Sequence, residues 1–223
     1  MAYEKNIVKK PWGYEYLAYS NSKVALWFLS ISPDQQTSMH CHPSKTTGLM
    51  LLEGSAHVSF LSNKFMLSPY EKIMIRKGLF HSTKSDAKTG ACVFEIETPV
   101  NKHDLVRLED SYGREGKPYE DETFEMPKAD DCLWLTDPPT GEKNVYKHNK
   151  SLITVSSVQN LEEVNVLPSG TNVMFLSGGI LTDYNINVAG PGDIVDTDVI
   201  RKLSKVFQKI SPNTVILTVN KNE

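Results

Sequence analysis

The sequence predicts an all-β fold, a sandwich or barrel of short strands, and three observations predict it. Segments rich in β-branched, aromatic and aliphatic residues recur at short intervals along the 223 residues. Gly, Pro, Asp and Ser turns separate them. Only one stretch, near the C-terminus, carries apolar residues at helical spacing.

The strands follow in order. Residues 24–31 are dense in strand formers and are broken by Pro33 and Asp34. Residues 49–52 lead into the turn Glu53, Gly54, Ser55, and residues 56–61, 72–75 and 91–97 continue the pattern. From about residue 109 to 150 the character changes. Glu120, Asp121, Glu122, Glu125, Asp130 and Asp131 form an acidic patch, and Pro118, Pro127, Pro138 and Pro139 break periodicity. This reads as a solvated connector, with Leu133 and Trp134 packing on something. Strand composition returns at residues 152–155, 173–176, 180–184 and 214–219. Between the last two, Val199, Ile200, Leu203, Val206, Phe207 and Ile210 predict a helix, capped by Asp198. Both halves read strand, Gly turn, strand, Gly turn, strand, the pattern of a degenerate internal duplication.

Composition narrows the function. The formal net charge is −3, and no basic stripe runs through the chain, which argues against nucleic acid as a partner. Hydrophobic content of 39% and charged content of 23% fit an ordinary globular protein. Residues 1–10 lack a signal-peptide core, and no apolar run is long enough to span a bilayer. Three cysteines at irregular spacing, Cys41, Cys92 and Cys132, suggest no disulfide framework. The expectation is a cytoplasmic protein with no membrane partner.

The most informative residues are His40, Cys41, His42 and the distant His81. Two histidines one residue apart on a strand share a face, and Cys41 points the other way. A third histidine from another strand would complete a facial metal site with open positions for a substrate.

These residues resemble the cupin superfamily of small β-barrels, whose first motif runs Gly, five residues, His-x-His, three or four residues, Glu, six residues, Gly. His40, His42 and Gly54 fit it; Asp34 replaces the first glycine and Thr47 the glutamate. The second motif, Pro-x-Gly, two residues, His, is met by Gly78 and His81, with Arg76 at the proline position. Lys10-Pro11-Trp12-Gly13-Tyr14-Glu15 before this region, and residues 103–114 after it, are similar to segments flanking the cupin domain of type II mannose-6-phosphate isomerases.

The resemblance implies a jelly-roll-like cupin barrel over residues 1–115, the acidic connector over 116–150 and a degenerate second cupin-like domain with one helix over 151–223. It implies a divalent metal (Zn, Mn or Fe) on His40, His42 and His81, and a sugar phosphate or nucleotide sugar as ligand. The chemistry it implies is isomerase or epimerase type: a base moves a proton between adjacent carbons, while a metal and cations stabilise the enediolate. Arg107 and Arg114 match arginines of the flank and are candidates for phosphate or enediolate; pairing with Glu109 or Asp110 is the alternative. Lys45, just after the histidine pair, is a candidate catalytic lysine or a solvated loop residue. Glu97, with Glu95 on the same strand face, is a candidate base or replacement ligand; alternatively both face solvent while Phe94 and Ile96 pack. Trp12 and Tyr14 are candidates to line a sugar face or to strap the barrel, and Thr47 is a candidate substrate contact. Two further readings stay open: a sugar- or sugar-nucleotide-binding cupin without turnover, and a three-histidine non-haem iron oxygenase. Open sheet edges suggest a homodimer.

Overall fold

Alternating side chains on paired strands build the chain's first unit. The computed structural model describes residues 6–86, 88–117, 123–124 and 132–222. It divides into two units, Met1–Trp134 and Leu135–Glu223.

The first unit contains β1 (Ile7–Lys10), β2 (Gly13–Ser20), β3 (Ala25–Ile31), β4 (Met39–Cys41), β5 (Thr46–Gly54), β6 (Ala56–Phe60), β7 (Lys64–Leu67), β8 (Lys72–Ile75), β9 (His81–Ser85), β10 (Ala91–Thr98), β11 (Val106–Glu109) and β12 (Thr123–Phe124). One sheet has the order β12-β1-β2-β3-β10-β5-β8 and the other β11-β4-β9-β6-β7. The pairs within both sheets are antiparallel. The barrel expected from the sequence is thus two open sheets in a jelly-roll-like arrangement. Trp27, Leu29, Leu49, Leu51 and Val93 from one sheet cluster with Ala56, Val58 and Leu67 from the other, all nearly inaccessible. Burying each of these leucines and valines stabilises by roughly 1.5–3 kcal/mol relative to exposure.

The larger sheet has a second buried face. Tyr16 stacks on Phe28 with centroids 4.9 Å apart, Phe28 meets Phe94 edge-on, and Trp134 lies 5.1 Å from Tyr16. The Tyr16 hydroxyl accepts from Leu133 N–H at 3.0 Å, so the segment around Leu133 and Trp134 packs as its composition predicts.

The second unit holds β13 (Lys143–His148), β14 (Ser151–Val158), α1 (Leu161–Asn165), β15 (Asn172–Ser177), β16 (Ile180–Leu181), β17 (Asn187–Ala189), β18 (Ile194–Asp196), α2 (Thr197–Leu203), β19 (Lys209–Ile210) and β20 (Thr214–Lys221). Its sheets run β13-β14-β20-β15-β18 and β17-β16-β19. Leu161, Val164 and Ile200 of the helices pack with Val173, Phe175 and Ile216. The chain is therefore all-β with two short helices in the second unit.

The predicted helix is shorter than its periodicity. Asp196, not Asp198, caps it by accepting from Asp198 N–H at 2.7 Å. Asp198 accepts instead from Ser169 and Arg201. Val199 and Val206 are exposed, and Ile210 lies in β19, so the apolar spacing beyond Leu203 belongs to a turn and a strand. The sequence did not single out α1, whose Asn160 cap and Glu163 bond reciprocally. The acidic patch from Glu120 to Asp131, with Pro118 and Pro127, lies outside the described residues, while Pro138 and Pro139 lie within them. No helix among the described residues is long and apolar enough to cross a membrane.

The motif glycine Gly54 has φ +82°, and a Cβ there would sit 2.2 Å from the Gly90 carbonyl oxygen. Replacing Gly54 by Ala is expected to destabilise the protein by about 1–3 kcal/mol, from left-handed strain and backbone displacement. Urea unfolding that places the variant level with wild type would contradict this.

Candidate functional site

Sheet register brings the histidines together. His40 lies directly opposite His81 across β4 and β9, and Arg107 of β11 lies opposite His40 on its other side. Cα partners in a sheet present their side chains to the same face. His42, just past β4, joins them: the ring centroids are 4.5 Å (His40–His81), 5.0 Å (His40–His42) and 5.5 Å (His42–His81) apart. The candidate ligand atoms all lie within 4.8 Å of one another. Gly78, at φ +74°, turns the chain toward His81, and its N–H donates to the His42 carbonyl at 2.7 Å.

Hydrogen bonds fix the tautomers. His40 Nδ1 is 2.8 Å from the Ser38 carbonyl, His42 Nδ1 2.6 Å from that of Asp104, and His81 Nδ1 2.9 Å from that of Leu79. A carbonyl only accepts, so each Nδ1 carries the proton and each Nε2 keeps its lone pair. His42 Nε2 is buried with no hydrogen-bond partner. Burial lowers the pKa of His42 to about 3, aided by Lys45, and that of His81 to about 4. Burial, then the charges of His81 and His42, holds His40 well below its usual range. Three neutral imidazoles with converging Nε2 atoms, one an orphaned buried acceptor, fit a divalent metal. Cys41 is buried and is not in the ligand group.

A cavity of about 480 Å³, counting its open mouth, adjoins His40 and His42. Trp12, Lys45, Arg107 and Arg114 line it, as do Lys10, Glu15, Glu95 and Lys102. The expectation that Glu95 and Glu97 face solvent is overturned. They lie on the inward side of β10 in line with Ala91 and Val93, and Glu97 is fully buried. Lys45 Nζ donates to Glu97 Oε2, and Trp27 Nε1 donates to Oε1 at 3.3 Å. Burial chiefly raises the Glu95 pKa to about 7, against the pull of Lys102. Nor is Lys45 a solvated loop residue, because its side chain is 1% exposed.

Other candidates divide. Trp12 both lines the cavity and belongs to the core cluster. Tyr14 does not line the cavity: on β2 it shares the parity of Tyr16, and its neighbour Glu15 takes the inward place. Thr47 is fully buried beside Glu97, its partner across β5 and β10, and its Oγ1 has no hydrogen-bond partner. Arg114 pairs in fork geometry with Asp110, at 2.6 and 2.9 Å, while lining the cavity. Arg107 donates to the Lys117 carbonyl at 2.8 Å.

Sequence reasoning missed four residues. Glu15 pairs with Lys102 at 2.8 Å and stands 3.9 Å from Lys10. Lys102 also sits 3.5 Å over the Trp27 ring. Burial alone would lower the Lys102 pKa, but Glu15, Glu97 and Glu95 together raise it. Asp104 accepts the Ser44 and Lys45 N–H groups at 2.9 and 3.0 Å, pinning the turn after His42. Lys10 and Glu15 were in plain view in the N-terminal flank, on the two strands that the turn at Pro11 and Trp12 joins.

Residues 2–110 match the protein family described as "Mannose-6-phosphate isomerase C-terminal". Over 109 residues the chain is 23% identical to a mannose-1-phosphate guanylyltransferase of Klebsiella pneumoniae, covering 48% of this chain and 23% of that protein. Over 115 residues it is 23% identical to the alginate biosynthesis protein AlgA of Pseudomonas putida, covering 51% and 24%. The chain thus spans about a quarter of the length of these curated relatives. Among solved structures it is similar to a double-stranded β-helix protein of Klebsiella pneumoniae (13% identity, TM-score 0.43, 49% and 96% of the two chains). KdgF from Halomonas sp. is also similar (13%, TM-score 0.41, 44% and 91%). The stretch that holds the three histidines is thus similar to the C-terminal domain of the mannose-6-phosphate isomerase family.

The buried histidines make stability depend on pH. Their folded pKa values, about 3 for His42 and about 4 for His81, lie below the ordinary 6.5. Between these limits the unfolded chain binds more protons, so the stabilisation present above 6.5 is lost as pH falls toward 4. Glu95, raised from 4.5 to about 7, acts in the opposite sense over part of that range. Comparison with His42→Gln removes its contribution. Metal-stripped wild type is expected to lose thermal stability on acidification more steeply than His42→Gln; parallel profiles would refute the assignment.

Proposed function

We propose that the first unit holds a divalent metal on His40, His42 and His81 and acts on a sugar phosphate or nucleotide sugar, with isomerase or epimerase chemistry. The observation that carries this reading is the convergence of three carbonyl-locked imidazoles beside a cavity lined with lysines, arginines and a carboxylate of raised pKa. When bound, the metal would supply Lewis-acid polarisation of adjacent carbonyl and hydroxyl oxygens. That both curated relatives of this region belong to sugar-nucleotide or polysaccharide biosynthesis by name supports the ligand class.

The residues of the chain divide the remaining work. Glu95, poised near neutrality, takes a proton from one substrate carbon and returns it to the next. Glu97, engaged by Lys45 and Trp27, is less suited to that task than the sequence alone suggested, and with Lys45 it sets the charge around the centre. Arg107, adjacent to His40, and Arg114, held in orientation by Asp110, offer planar donors to a phosphate or a developing enediolate. Trp12 presents an apolar ring to one face of a sugar.

A second reading, a cupin that binds such a ligand without turnover, is favoured by two observations. Thr47 occupies the motif's glutamate position, and Glu97 is engaged by Lys45. Metal analysis and a hexose-phosphate isomerisation screen separate the two. The expected result is about one divalent ion per chain, lost in His42→Ala, and turnover lowered at least about 100-fold by Glu95→Gln. Metal and ligand binding without turnover of any hexose phosphate would select the binding cupin. An absence of metal even after zinc, manganese or iron is added would overturn the metal centre.

A further inference from the structure

A buried cation, Lys45, is paired with a buried carboxylate, Glu97, and its charge also acts on the histidine triad. The Lys45 side chain is 1% exposed, and its main-chain N–H donates to Asp104, whose carbonyl also accepts from His42. The position of Lys45 is therefore tied to that of a candidate ligand. Its ammonium donates to Glu97, and its charge disfavours protonation of His40, His42 and His81 alike. Glu97 is fully buried, with its other oxygen facing the Trp27 indole N–H. Across the strand pair stands Thr47, whose buried hydroxyl has no hydrogen-bond partner.

This arrangement sets two cations against each other. An ion on the three Nε2 atoms is repelled by the ammonium of Lys45 and attracted by the carboxylate of Glu97. Neutral nitrogen donors leave the ion's charge uncompensated, so a buried carboxylate nearby would be drawn toward it. Lys45 already satisfies that carboxylate and is anchored at its backbone. We propose that Lys45 is a positioning residue that keeps Glu97 out of the metal's ligand set, leaving a three-histidine centre whose remaining positions are open to solvent and substrate. The inference rests on the metal-centre reading above. It adds that openness is maintained by an internal counter-cation rather than by the lack of a carboxylate.

Cobalt(II) titrated into chelator-stripped protein tests it, with visible d–d absorption reporting coordination and calorimetry reporting affinity. Glu97→Gln is expected to leave the wild-type spectrum unchanged. Lys45→Met is expected to change the spectrum and tighten binding at least about tenfold, and the double variant Lys45→Met/Glu97→Gln to restore a wild-type spectrum. Lys45→Met should also gain more in Tm from cobalt than wild type does, since the ion replaces the lost charge. Should Lys45→Met fail to fold, Lys45→Gln and the Glu97→Gln spectrum decide the question. A wild-type spectrum altered by Glu97→Gln would show Glu97 already bound to the metal and overturn the proposal. Lysine variants with wild-type spectrum and affinity would overturn it too, leaving the metal centre intact. If no variant binds cobalt, reading and inference fall together.

Discussion

The site depends on the hydrogen bond from each histidine Nδ1 to a main-chain carbonyl. Three such bonds, to Ser38, Asp104 and Leu79, fix each ring's tautomer and orientation. Without them, imidazoles so close together would be free to turn toward one another or toward solvent. With them, the Nε2 atoms are committed to a common volume, and burial keeps the rings neutral. Those carbonyls belong to strand ends and turns that the sheet register places. The hydrogen-bond ladder of β11, β4, β9 and β6 is therefore as much part of the site as the rings.

β10 shows how one strand serves both core and site. Its inward residues begin with Ala91 and Val93, which pack in the apolar cluster, and end with Glu95 and Glu97. Carboxylates at such positions are unfavourable unless compensated. Compensation comes from three lysines at distant places in the sequence, Lys10, Lys45 and Lys102, with Glu15 as a third carboxylate. Removing one partner from such a cluster leaves a buried charge behind, which ties the geometry of the cavity to the stability of the unit.

The strands with nearly continuous apolar or aromatic stretches, β3, β5, β15 and β20, were legible because burial on both faces leaves few polar residues in them. β9 was not, since His81-Ser82-Thr83-Lys84-Ser85 contains no aliphatic residue although most of it is buried. Its place comes from pairing between β4 and β6, which composition does not encode. The histidine spacing was legible because alternation on a strand is local. The inward turn of Glu95 and Glu97 was misread because the partners that make it tolerable, Lys45 and Lys102, reach it from elsewhere in the chain. The predicted helix was overextended because Val206 and Ile210 happen to continue a period that the backbone ends at Leu203.

Charge balance bears on the kind of ligand such a cavity would take. Lys10, Lys45 and Lys102 face Glu15, Glu95 and Glu97, and Arg114 faces Asp110, so these groups come near neutrality when all are charged. Arg107, which donates to the Lys117 carbonyl, brings its guanidinium beside His40. A divalent ion on neutral imidazoles would add two positive charges in a setting of reduced dielectric, and protonation of Glu95 a further one. With that ion in place, the added charge would suit the proposed phosphorylated ligand, whose own negative charge would compensate it.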